Sequence, residues 1–510
     1  MLARLSAAAV IGVEAVPVAV EVDVAFGLPG ITMVGLPDTT VRESRDRVRT
    51  AIRNSGFPFP ATRVLVSLAP ADVRKIGAAF DLPIALGILA ASGVLPHRTD
   101  KANHRFTIVG GVALDGTVPP MRGLLPIAAA ARRSGSALLF PAENLAEAGI
   151  VEGLTLFPVR SLTEAVQVFC SPNPVPASPP SPSNADPNCE AEDLSDVRGQ
   201  AMGRRAVEIA AGGGHHLLFC GPPGAGKTML ARRLPGLLPP LDADEALAIT
   251  TIHSVAGLLP PGSGLLRERP FRAPHHTASD IALVGGGSAP RPGELSLAHT
   301  GVLFLDELPE FNRRVLETLR QPLEQGVVHI ARAARSVSFP ARVMLVAAMN
   351  PCPCGFAGTR RGLCRCAATA VDRYRQRLSG PLRDRLDLVV DLPAVPWQEI
   401  THDADGESSA AVRERVVAAR ERQAGRQRVS NALLDGKTLR RVCGTSDVSA
   451  NALLARGIAR LGLSVRGVSR VLRVARTIAD LEGATAIERR HVAEALQFRQ
   501  ADGVSAVAKV

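Results

Sequence analysis

Aromatic residues are scarce in this chain of 510 residues: Phe, Tyr and Trp together make up 3%, with one Trp and one Tyr. Aromatic stacking platforms are therefore not expected to dominate ligand recognition. Long apolar runs are missing as well. Stretches such as "DLPIALGILAASGVLP", from Asp81, are too short or too interrupted by Pro and Gly to cross a bilayer. We therefore predict no transmembrane helix and no membrane partner.

Lysine is almost absent, so the formal net charge of +11 comes mainly from arginine. A basic balance favours polyanionic partners such as nucleic acid, although an arginine-rich proteome would produce the same bias. The chain also lacks a clear secretion signal, because Glu14 interrupts the apolar run that follows Arg4. We interpret this run as a core strand and expect a cytoplasmic, reducing location, where the eight cysteines do not form a disulfide framework.

The length and the segment pattern predict several domains. Residues 1–169 alternate strand-like and helical runs, as in an α+β or α/β domain. Residues 170–195 are rich in Pro, Ser and Asn and are predicted to be a linker. Short apolar strands separated by helices over 196–392 predict a parallel sheet covered by helices. Residues 393–510 have helical spacing and predict an all-helical domain.

The segment "GPPGAGKT" fits the phosphate-binding pattern G-x-x-x-x-G-K-[ST], between the strand "HHLLFC" and the helix "MLARRL". Its glycines let backbone N–H groups surround phosphates, while the Lys ammonium reaches the β- and γ-oxygens and the Thr hydroxyl ligates Mg²⁺. The segment therefore predicts ATP and Mg²⁺ as cofactors. Its residues are Gly221, Pro222, Pro223, Gly224, Ala225, Gly226, Lys227 and Thr228.

Two further strands end in polar residues. "VLFLDE" places Asp306 and Glu307 at a strand end, which suits a second Mg²⁺ contact and a carboxylate that activates water. "ARVMLVAAMN" places Asn350 at the same end of another strand, where its amide can contact the γ-phosphate and the attacking water. These residues are predicted to complete the nucleotide site.

An arginine before the strand "LDLVVDLP" is a candidate arginine finger, which in a ring-shaped ATPase reaches the nucleotide of the neighbouring subunit. Arg385 is the favoured residue, with Arg383 as a competitor. Arg466 begins a helix of the C-terminal domain and is predicted to reach the same γ-phosphate, although Arg470 and Arg473 share one face of that helix.

Long strings of the chain resemble the magnesium-chelatase-like AAA+ ATPases, and specifically the ComM/YifB family of bacteria. They include "GLPGITMVGLPDTTVRESRDRVRTAIRNSGFPFP", "FRAPHHTASDIALVGGG" and "PGELSLAHTGVLFLDELPEF". The resemblance implies a P-loop AAA+ core with a C-terminal helical lid, and a homo-oligomer, in this family a hexameric ring. Members of the ComM type are described as helicases that drive branch migration of DNA during recombination in natural transformation. The partner implied is therefore branched or double-stranded DNA.

By the same resemblance the segment from Gly221 to Thr228 would be Walker A, and Asp306 with Glu307 would be Walker B. Asn350 would be sensor 1 and Arg466 sensor 2. The N-terminal domain is expected to have the fold of the Lon protease domain, which is related to ribosomal protein S5. Where Lon-like sequences have a catalytic Ser and Lys, this chain has Ala79 and Leu125. We therefore predict no peptidase activity.

"NPCPCGFAGTRRGLCRC" contains four cysteines with the spacing C-x-C-x9-C-x-C: Cys352, Cys354, Cys364 and Cys366. Four thiolates can form a structural zinc site that orders a loop without an apolar core. Free or redox-labile thiols and disulfides are the alternatives, and zinc is favoured. The adjacent pair His275 and His276 is interpreted as loop packing rather than as a metal site.

Two groups of arginines are candidates for DNA contact. Arg360 and Arg361 lie in the cysteine loop, and Arg332 and Arg335 lie near the tip of a hairpin predicted from "VVHIARAARSVSFPARVML". Such contacts would go to phosphates and would be largely independent of DNA sequence. The favoured function is thus a DNA motor. The alternatives are a magnesium-chelatase motor subunit that works on a porphyrin and a nucleotide-switched protein remodeller.

Overall fold

A computed structural model describes most of the chain. The described residues are 1–35, 38–71, 75, 77–95, 106–178, 192–260, 262–287, 290–331, 336–358, 364–396, 406–445 and 447–499. Residues 179–191 of the predicted linker therefore lie outside the described part. Among the described residues no helix combines the length and the apolar character that a bilayer crossing requires.

The N-terminal part contains a mixed sheet of seven strands. They are β1 (Leu2–Ile11), β2 (Glu14–Ala25), β3 (Gly30–Val34), β4 (Arg63–Ala69), β5 (Phe106–Ile108), β6 (Ala137–Pro141) and β7 (Leu156–Val159). The order is β3-β4-β2-β1-β5-β6-β7, with antiparallel pairing of β1 with β2 and of β2 with β4. The other neighbours are parallel. Alternate residues of β2, such as Val20 and Val22, are buried because one face of the sheet packs on helices.

Among the described residues, the helices that accompany this sheet are α1 (Thr39–Asn54), α2 (Asp81–Ala91), α3 (Leu124–Ser134), α4 (Leu145–Ala148) and α5 (Leu162–Cys170). Asp38 begins α1 by accepting the Val41 N–H at 2.8 Å. Helix α2 is apolar around its circumference and lies in the core, as such helices do. Leu125, which stands where a Lon-like base would be, is buried, and its N–H donates to Glu147 Oε1 at 2.9 Å.

The second sheet is parallel throughout and has the order β16-β8-β15-β12-β9. Its strands are short and buried on both faces, as the apolar runs in the sequence predict. Two antiparallel pairs, β10 with β11 and β13 with β14, stand outside it. The strands of this part are β8 (Leu217–Cys220), β9 (Phe271–Arg272), β10 (Gly285–Gly286), β11 (Arg291–Pro292), β12 (Val302–Leu305), β13 (Val327–Ala331), β14 (Ser336–Pro340), β15 (Met344–Met349) and β16 (Leu388–Asp391).

In the described part of the chain, nine helices surround or flank the parallel sheet. They are α6 (Ala201–Gly213), α7 (Lys227–Leu237), α8 (Ala243–Ala256), α9 (Asp280–Val284), α10 (Glu294–Leu297), α11 (Arg313–Thr318), α12 (Arg320–Gln325), α13 (Ala368–Gln376) and α14 (Gly380–Arg383). The described C-terminal part contains only helices and turns: α15 (Ser409–Gln427), α16 (Gly436–Cys443), α17 (Val448–Leu461), α18 (Val465–Leu481) and α19 (Arg489–Gln497). The predicted fold class, a parallel α/β core with a mixed N-terminal sheet and a helical C-terminal region, is confirmed.

A buried polar cluster joins the parallel sheet to the C-terminal helices. His215, just before β8, has Nδ1 3.3 Å from Asp387 Oδ2 and Nε2 2.8 Å from Thr477 Oγ1 on α18. Arg470, also on α18, lies 3.5 Å from the other Asp387 oxygen. Burial acts to raise the pKa of Asp387, but the hydrogen bond and the charge of His215, with Arg470 nearby, outweigh it and lower the pKa to about 2. The aspartate is therefore ionised, and its charge holds β16 and α18 together.

A smaller polar contact joins the N-terminal part to the parallel-sheet part. The Ser254 hydroxyl of α8 donates to Glu147 Oε1, and the Gly123 N–H donates to the Ser254 carbonyl at 3.0 Å. Glu147 is buried and also accepts the Asn144 amide at 2.9 Å. A buried carboxylate with this many donors is satisfied, so the contact is a defined interface.

Candidate nucleotide-binding site

Three parallel strands bring the predicted nucleotide residues to one edge of the second sheet, the edge that the carboxyl ends of its strands form. The phosphate-binding segment follows β8, Asp306 follows β12, and Asn350 follows β15. Because β15 pairs in parallel with both β8 and β12, all three carboxyl ends lie at the same edge. This edge is where open α/β sheets bind their ligands.

The phosphate-binding segment has an open, glycine-dependent backbone. Gly224 and Gly226 have φ values of +78° and +85°, and no atom lies within 4 Å of a Cβ built at either position. Gly221 is different, because a Cβ there would lie 2.4 Å from the Leu392 carbonyl oxygen. Helix α7 begins directly after Gly226, so its first N–H groups point toward the same concavity. The backbone therefore fits a phosphate chain.

Lys227 lies at the centre of this concavity. Its Nζ donates to the carbonyl oxygens of Gly221 and Pro222, at 2.6 and 2.9 Å, and to Asn350 Oδ1 at 3.1 Å. Burial lowers the pKa of Lys227, and the charge of Asp306 opposes that shift. The predicted Walker A lysine and sensor 1 asparagine are thus in direct contact, as a shared role at the γ-phosphate requires.

The predicted Mg²⁺ ligands are also together. The Thr228 hydroxyl donates to Asp306 Oδ2 at 3.1 Å. An uncharged hydroxyl next to a carboxylate is the oxygen set that Mg²⁺ takes beside nucleotide phosphates, so these residues fit the ion. Glu307 follows with a left-handed backbone, φ +50°, and its side chain is 51% exposed. A non-glycine residue in this conformation is strained, and such strain is concentrated at functional sites.

His276, which the sequence alone suggested to be a loop-packing residue, contacts Glu307. His276 Nδ1 lies 3.2 Å from Glu307 Oε2. The His276 ring packs against His275, with 4.1 Å between centroids, and edge-on against Phe311. The position of His276 in the chain was the signal that could have revealed this role. The histidines follow β9, and β9 is parallel to β12, so their loop leaves the sheet at the edge where the nucleotide residues lie.

Arg385 lies at the opposite edge of the sheet, the edge that the amino ends of the strands form. It precedes β16, whose first residue Leu388 pairs with Leu217, the first residue of β8. The Arg385 guanidinium donates to Glu324 and to the Pro381 carbonyl, the latter at 2.8 Å. Its Nε has no hydrogen-bond partner and is buried. The length of β8 thus separates Arg385 from the phosphate-binding segment of its own chain.

Arg466 lies near Arg385. It is exposed at the start of α18. Burial is the main cause that lowers the pKa of Arg385, and the positive charges of Arg320 and then Arg466 add to it. One turn further along the same helix, Arg470 contacts Asp387. The two predicted nucleotide-sensing arginines therefore lie near each other, at the edge opposite Lys227.

The four cysteines form a compact cluster after β15. Their sulfur atoms all lie within 4.8 Å of one another. The Sγ of Cys352 is 3.3 Å from that of Cys354 and 3.7 Å from that of Cys364. A tetrahedral zinc with bonds of ~2.3 Å separates its sulfur ligands by about 3.8 Å. None of the described cysteines is disulfide-bonded. The residues therefore fit a structural zinc ion.

Two further features support a metal site. The Ala357 N–H donates to Cys352 Sγ at 3.2 Å, and the Phe356 N–H helps to lower the pKa of Cys354 to about 6. Hydrogen bonding to Cys354 and burial act to raise the pKa of Cys366, to about 12, so without a metal the thiols share their protons and only part of the cluster is ionised. The loop also contacts the nucleotide site, because a Cβ built at Gly355 would lie 2.8 Å from Pro223 Cδ. Gly355, which follows Cys354, therefore packs closely against Pro223 of the phosphate-binding segment.

The predicted DNA-contacting arginines fall outside the described residues. These are Arg332, Arg335, Arg360 and Arg361. The hairpin predicted around the first two is confirmed by the antiparallel pairing of β13 with β14. Its role, and that of the cysteine loop, stays a prediction.

Comparisons with known proteins agree with these features. Three family models match: "Magnesium chelatase, subunit ChlI" over residues 193–400, "Subunit ChlI of Mg-chelatase" over 20–144, and "Magnesium chelatase, subunit ChlI C-terminal" over 406–499. The chain is 46% identical to the competence protein ComM of Haemophilus influenzae over 506 residues, which cover 98% of this chain and 97% of that protein.

Two other relatives extend the comparison. YifB of Escherichia coli strain K12 is 46% identical over 497 residues, covering 97% of this chain and 96% of the relative. The magnesium-chelatase 38 kDa subunit of Rhodobacter capsulatus is 26% identical over 311 residues, covering 56% and 79% respectively. On its motifs, its geometry and these full-length likenesses, the chain belongs to the ComM/YifB family of magnesium-chelatase-like AAA+ ATPases.

Proposed function

We propose that the protein is an ATP-driven DNA motor that assembles as a homo-oligomeric ring, a hexamer, and drives branch migration during recombination. The observation that carries the ring assembly in this proposal is the placement of Arg385 and Lys227 at opposite edges of one parallel sheet. An arginine that far from its own phosphate-binding segment can act on a nucleotide only in a neighbouring subunit. A ring of identical subunits supplies that neighbour at every site.

Within one subunit, the residues divide the work of hydrolysis. The backbone N–H groups from Gly221 to Thr228 and the Lys227 ammonium hold the β- and γ-phosphates. Bound Mg²⁺, held by Thr228 with Asp306, would neutralise charge on these oxygens. Glu307 accepts the proton of the attacking water, and Asn350 orients that water from its position beside Lys227. Arg385 and Arg466 of the adjacent subunit stabilise the charge that develops at the γ-phosphate.

We further propose that His276 is a positioning residue for Glu307. The Glu307 side chain is half exposed and would otherwise sample several rotamers. The imidazole Nδ1 lies 3.2 Å from one of its oxygens, and this contact restricts the carboxylate. Because a general base works only within hydrogen-bond reach of the water, fixing the carboxylate raises the fraction of productive geometry.

The DNA substrate rests on charge and on likeness. The chain carries a formal net charge of +11, which favours a polyanionic track. The relative from H. influenzae bears the name competence protein, and competence concerns DNA uptake. We assign Arg332 and Arg335, which lie between β13 and β14 in the sequence, and Arg360 and Arg361, which lie between the two cysteine pairs, to phosphate contacts on branched or double-stranded DNA in the cytoplasm.

The second candidate function is that of a magnesium-chelatase motor subunit, which the R. capsulatus relative favours. ATP turnover stimulated by four-way DNA junctions separates the two, because a chelatase subunit acts on a porphyrin and has no use for DNA. Turnover stimulated by neither DNA nor porphyrin would favour a protein remodeller instead.

We also propose that the cysteine cluster holds one structural Zn²⁺. The metal would order a loop that has little apolar core and would fix the contact between Gly355 and Pro223. The loop begins directly after Asn350, so an ordered loop also fixes the end of β15.

We expect Lys227→Ala to weaken binding of a fluorescent ATP analogue by about 100-fold, because a charge-assisted contact to phosphate is lost. Glu307→Gln keeps that affinity but lowers kcat by about 100-fold or more, because the amide cannot accept the water proton. Glu310→Gln is the matched control, since Glu310 lies three residues on and pairs with Arg377 at 2.8 Å. Wild-type turnover by Glu307→Gln would show that another residue is the base.

For His276→Ala we expect kcat to fall about tenfold with an unchanged KM for ATP, because only the orientation of Glu307 is lost. His276→Asn should restore part of the rate, since an amide can contact the same carboxylate. His329→Ala, an exposed position on β13, serves as the control in assays without DNA. Equal kcat values for His276→Ala and the wild type would assign the histidine to packing alone.

Mixing two inactive variants tests the shared site. We expect Lys227→Ala and Arg385→Ala each to lose about 10³-fold in turnover, and an equimolar mixture of the two to regain activity. Recovery arises where an Arg385→Ala subunit binds ATP next to a Lys227→Ala subunit that donates its intact arginine. Subunit exchange is followed in parallel by energy transfer between labelled chains. Exchange without recovery contradicts action between subunits.

Elemental analysis of the purified protein should find about one zinc per chain. Cys354→Ser with Cys364→Ser should remove the metal, while Cys170→Ser, a cysteine far along the chain on α5, should retain it. Nucleotide affinity of the double variant is expected to fall, because the loop packs on Pro223. A wild-type protein that is fully active and free of zinc would refute the metal site.

A further inference from the structure

A groove of 410 Å³ runs along the N-terminal part between α1 and the edge strand β3. The wall from α1 presents Arg45, Arg49 and Arg53, and Asp46 is the one carboxylate among the lining residues. The groove is far along the chain from the nucleotide site, and none of the residues predicted to contact DNA belongs to it.

The three arginines form a regular cationic stripe. They are spaced four residues apart, so neighbouring members lie on one face of α1 with about 5–6 Å between Cβ atoms. Arg49 and Arg53 are held against Phe59, with their guanidinium carbons 5.7 and 6.0 Å from the ring centroid. A cation–π contact restricts the side chain but leaves its N–H donors available. Arg49 and Arg53 are therefore preorganised to donate to successive phosphates of one strand.

The turn that leads from β2 into β3 adds an apolar element. Phe26 is 101% exposed and Leu28 is 90% exposed, although both are large apolar residues. Pro29 and Gly30, which follow them, line the groove. A fully exposed phenylalanine beside a basic groove is the arrangement by which proteins stack an unpaired base while arginines hold its backbone. In a duplex the bases are already stacked on each other, so this ring would find no partner.

We propose that this groove binds single-stranded DNA, with Arg49 and Arg53 on the phosphates and Phe26 stacked on a base. The assignment deepens the proposed DNA motor and rests on it, because it adds a second DNA contact outside the AAA+ part. A motor that moves a branch point along DNA has to hold, that is to bind, the strand that is unpaired at that point. The N-terminal part, in which the catalytic positions of a Lon-like peptidase are Ala79 and Leu125, would then supply that hold.

The test measures binding of a fluorescein-labelled 30-mer of thymidine to the full-length protein over a range of salt concentrations. For Arg49→Ala with Arg53→Ala we expect about tenfold weaker binding near 0.1 M salt, and a log–log salt slope shallower by about 1.4, or ~0.7 for each lost phosphate contact. Phe26→Ala should weaken binding without changing the slope, because stacking releases no counterions.

The matched control is Arg133→Ala with Arg160→Ala, which removes the same charge from exposed positions of the same part of the chain. This variant should keep the wild-type affinity. If it loses as much affinity as the groove variant, the effect is one of net charge, and the groove assignment is wrong. If poly-glutamate of equal charge displaces the thymidine strand from the wild type as well as unlabelled strand does, the groove recognises acidic protein, and the assignment is again wrong.

Two further results separate this inference from the motor itself. Junction-stimulated ATP turnover together with unchanged thymidine binding and salt slope in the groove variant would overturn the groove alone. Absence of any DNA binding and stimulation in the wild type would overturn the motor as well. Gel filtration completes the set: a groove variant that fails to assemble but binds the strand normally would identify the stripe as a subunit interface.

Discussion

The parallel register of β8 with its two neighbours is the constraint on which the rest of the site depends. Pairing of β15 with β8 brings Asn350 to Lys227, and pairing of β16 with β8 sends Arg385 to the opposite edge. A shift of either strand by one residue would turn each side chain to the other face of the sheet. The nucleotide cradle and the separation of Arg385 from it thus come from the same hydrogen-bond ladders.

Much of this arrangement could be predicted from the sequence. The phosphate-binding segment, the acidic end of β12 and Asn350 each follow a buried apolar run, and parallel topology then requires them to meet at one edge. The hairpin of β13 and β14 was expected from the likeness of "VVHIARAARSVSFPARVML" to a β-hairpin, and the antiparallel pairing confirms it. These features are local in the chain, which is why periodicity and short motifs reveal them.

The role of His276 was harder to predict because it depends on distant pairing. β9 is two residues long, too short to be recognised from periodicity, and only its place beside β12 brings the histidine loop to Glu307. The groove of the N-terminal part has the same origin. From the sequence, Arg49 and Arg53 are expected to lie on an ordinary solvated helix face, and only the folded structure shows Phe59 against them. Residues far apart in sequence carry no mutual signal in a single chain.

The ionised Asp387 has a mechanical consequence. It accepts from His215 and lies beside Arg470 while buried, and breaking such a cluster leaves uncompensated charge in the interior, at a cost of about 3–5 kcal/mol. Strand β16 and helix α18 are therefore expected to move together as one rigid unit. Because Arg385 precedes β16 and Arg466 begins α18, a displacement of one guanidinium is transmitted to the other and to the C-terminal helices. In the proposed ring, an adjacent active site would therefore act on both arginines together.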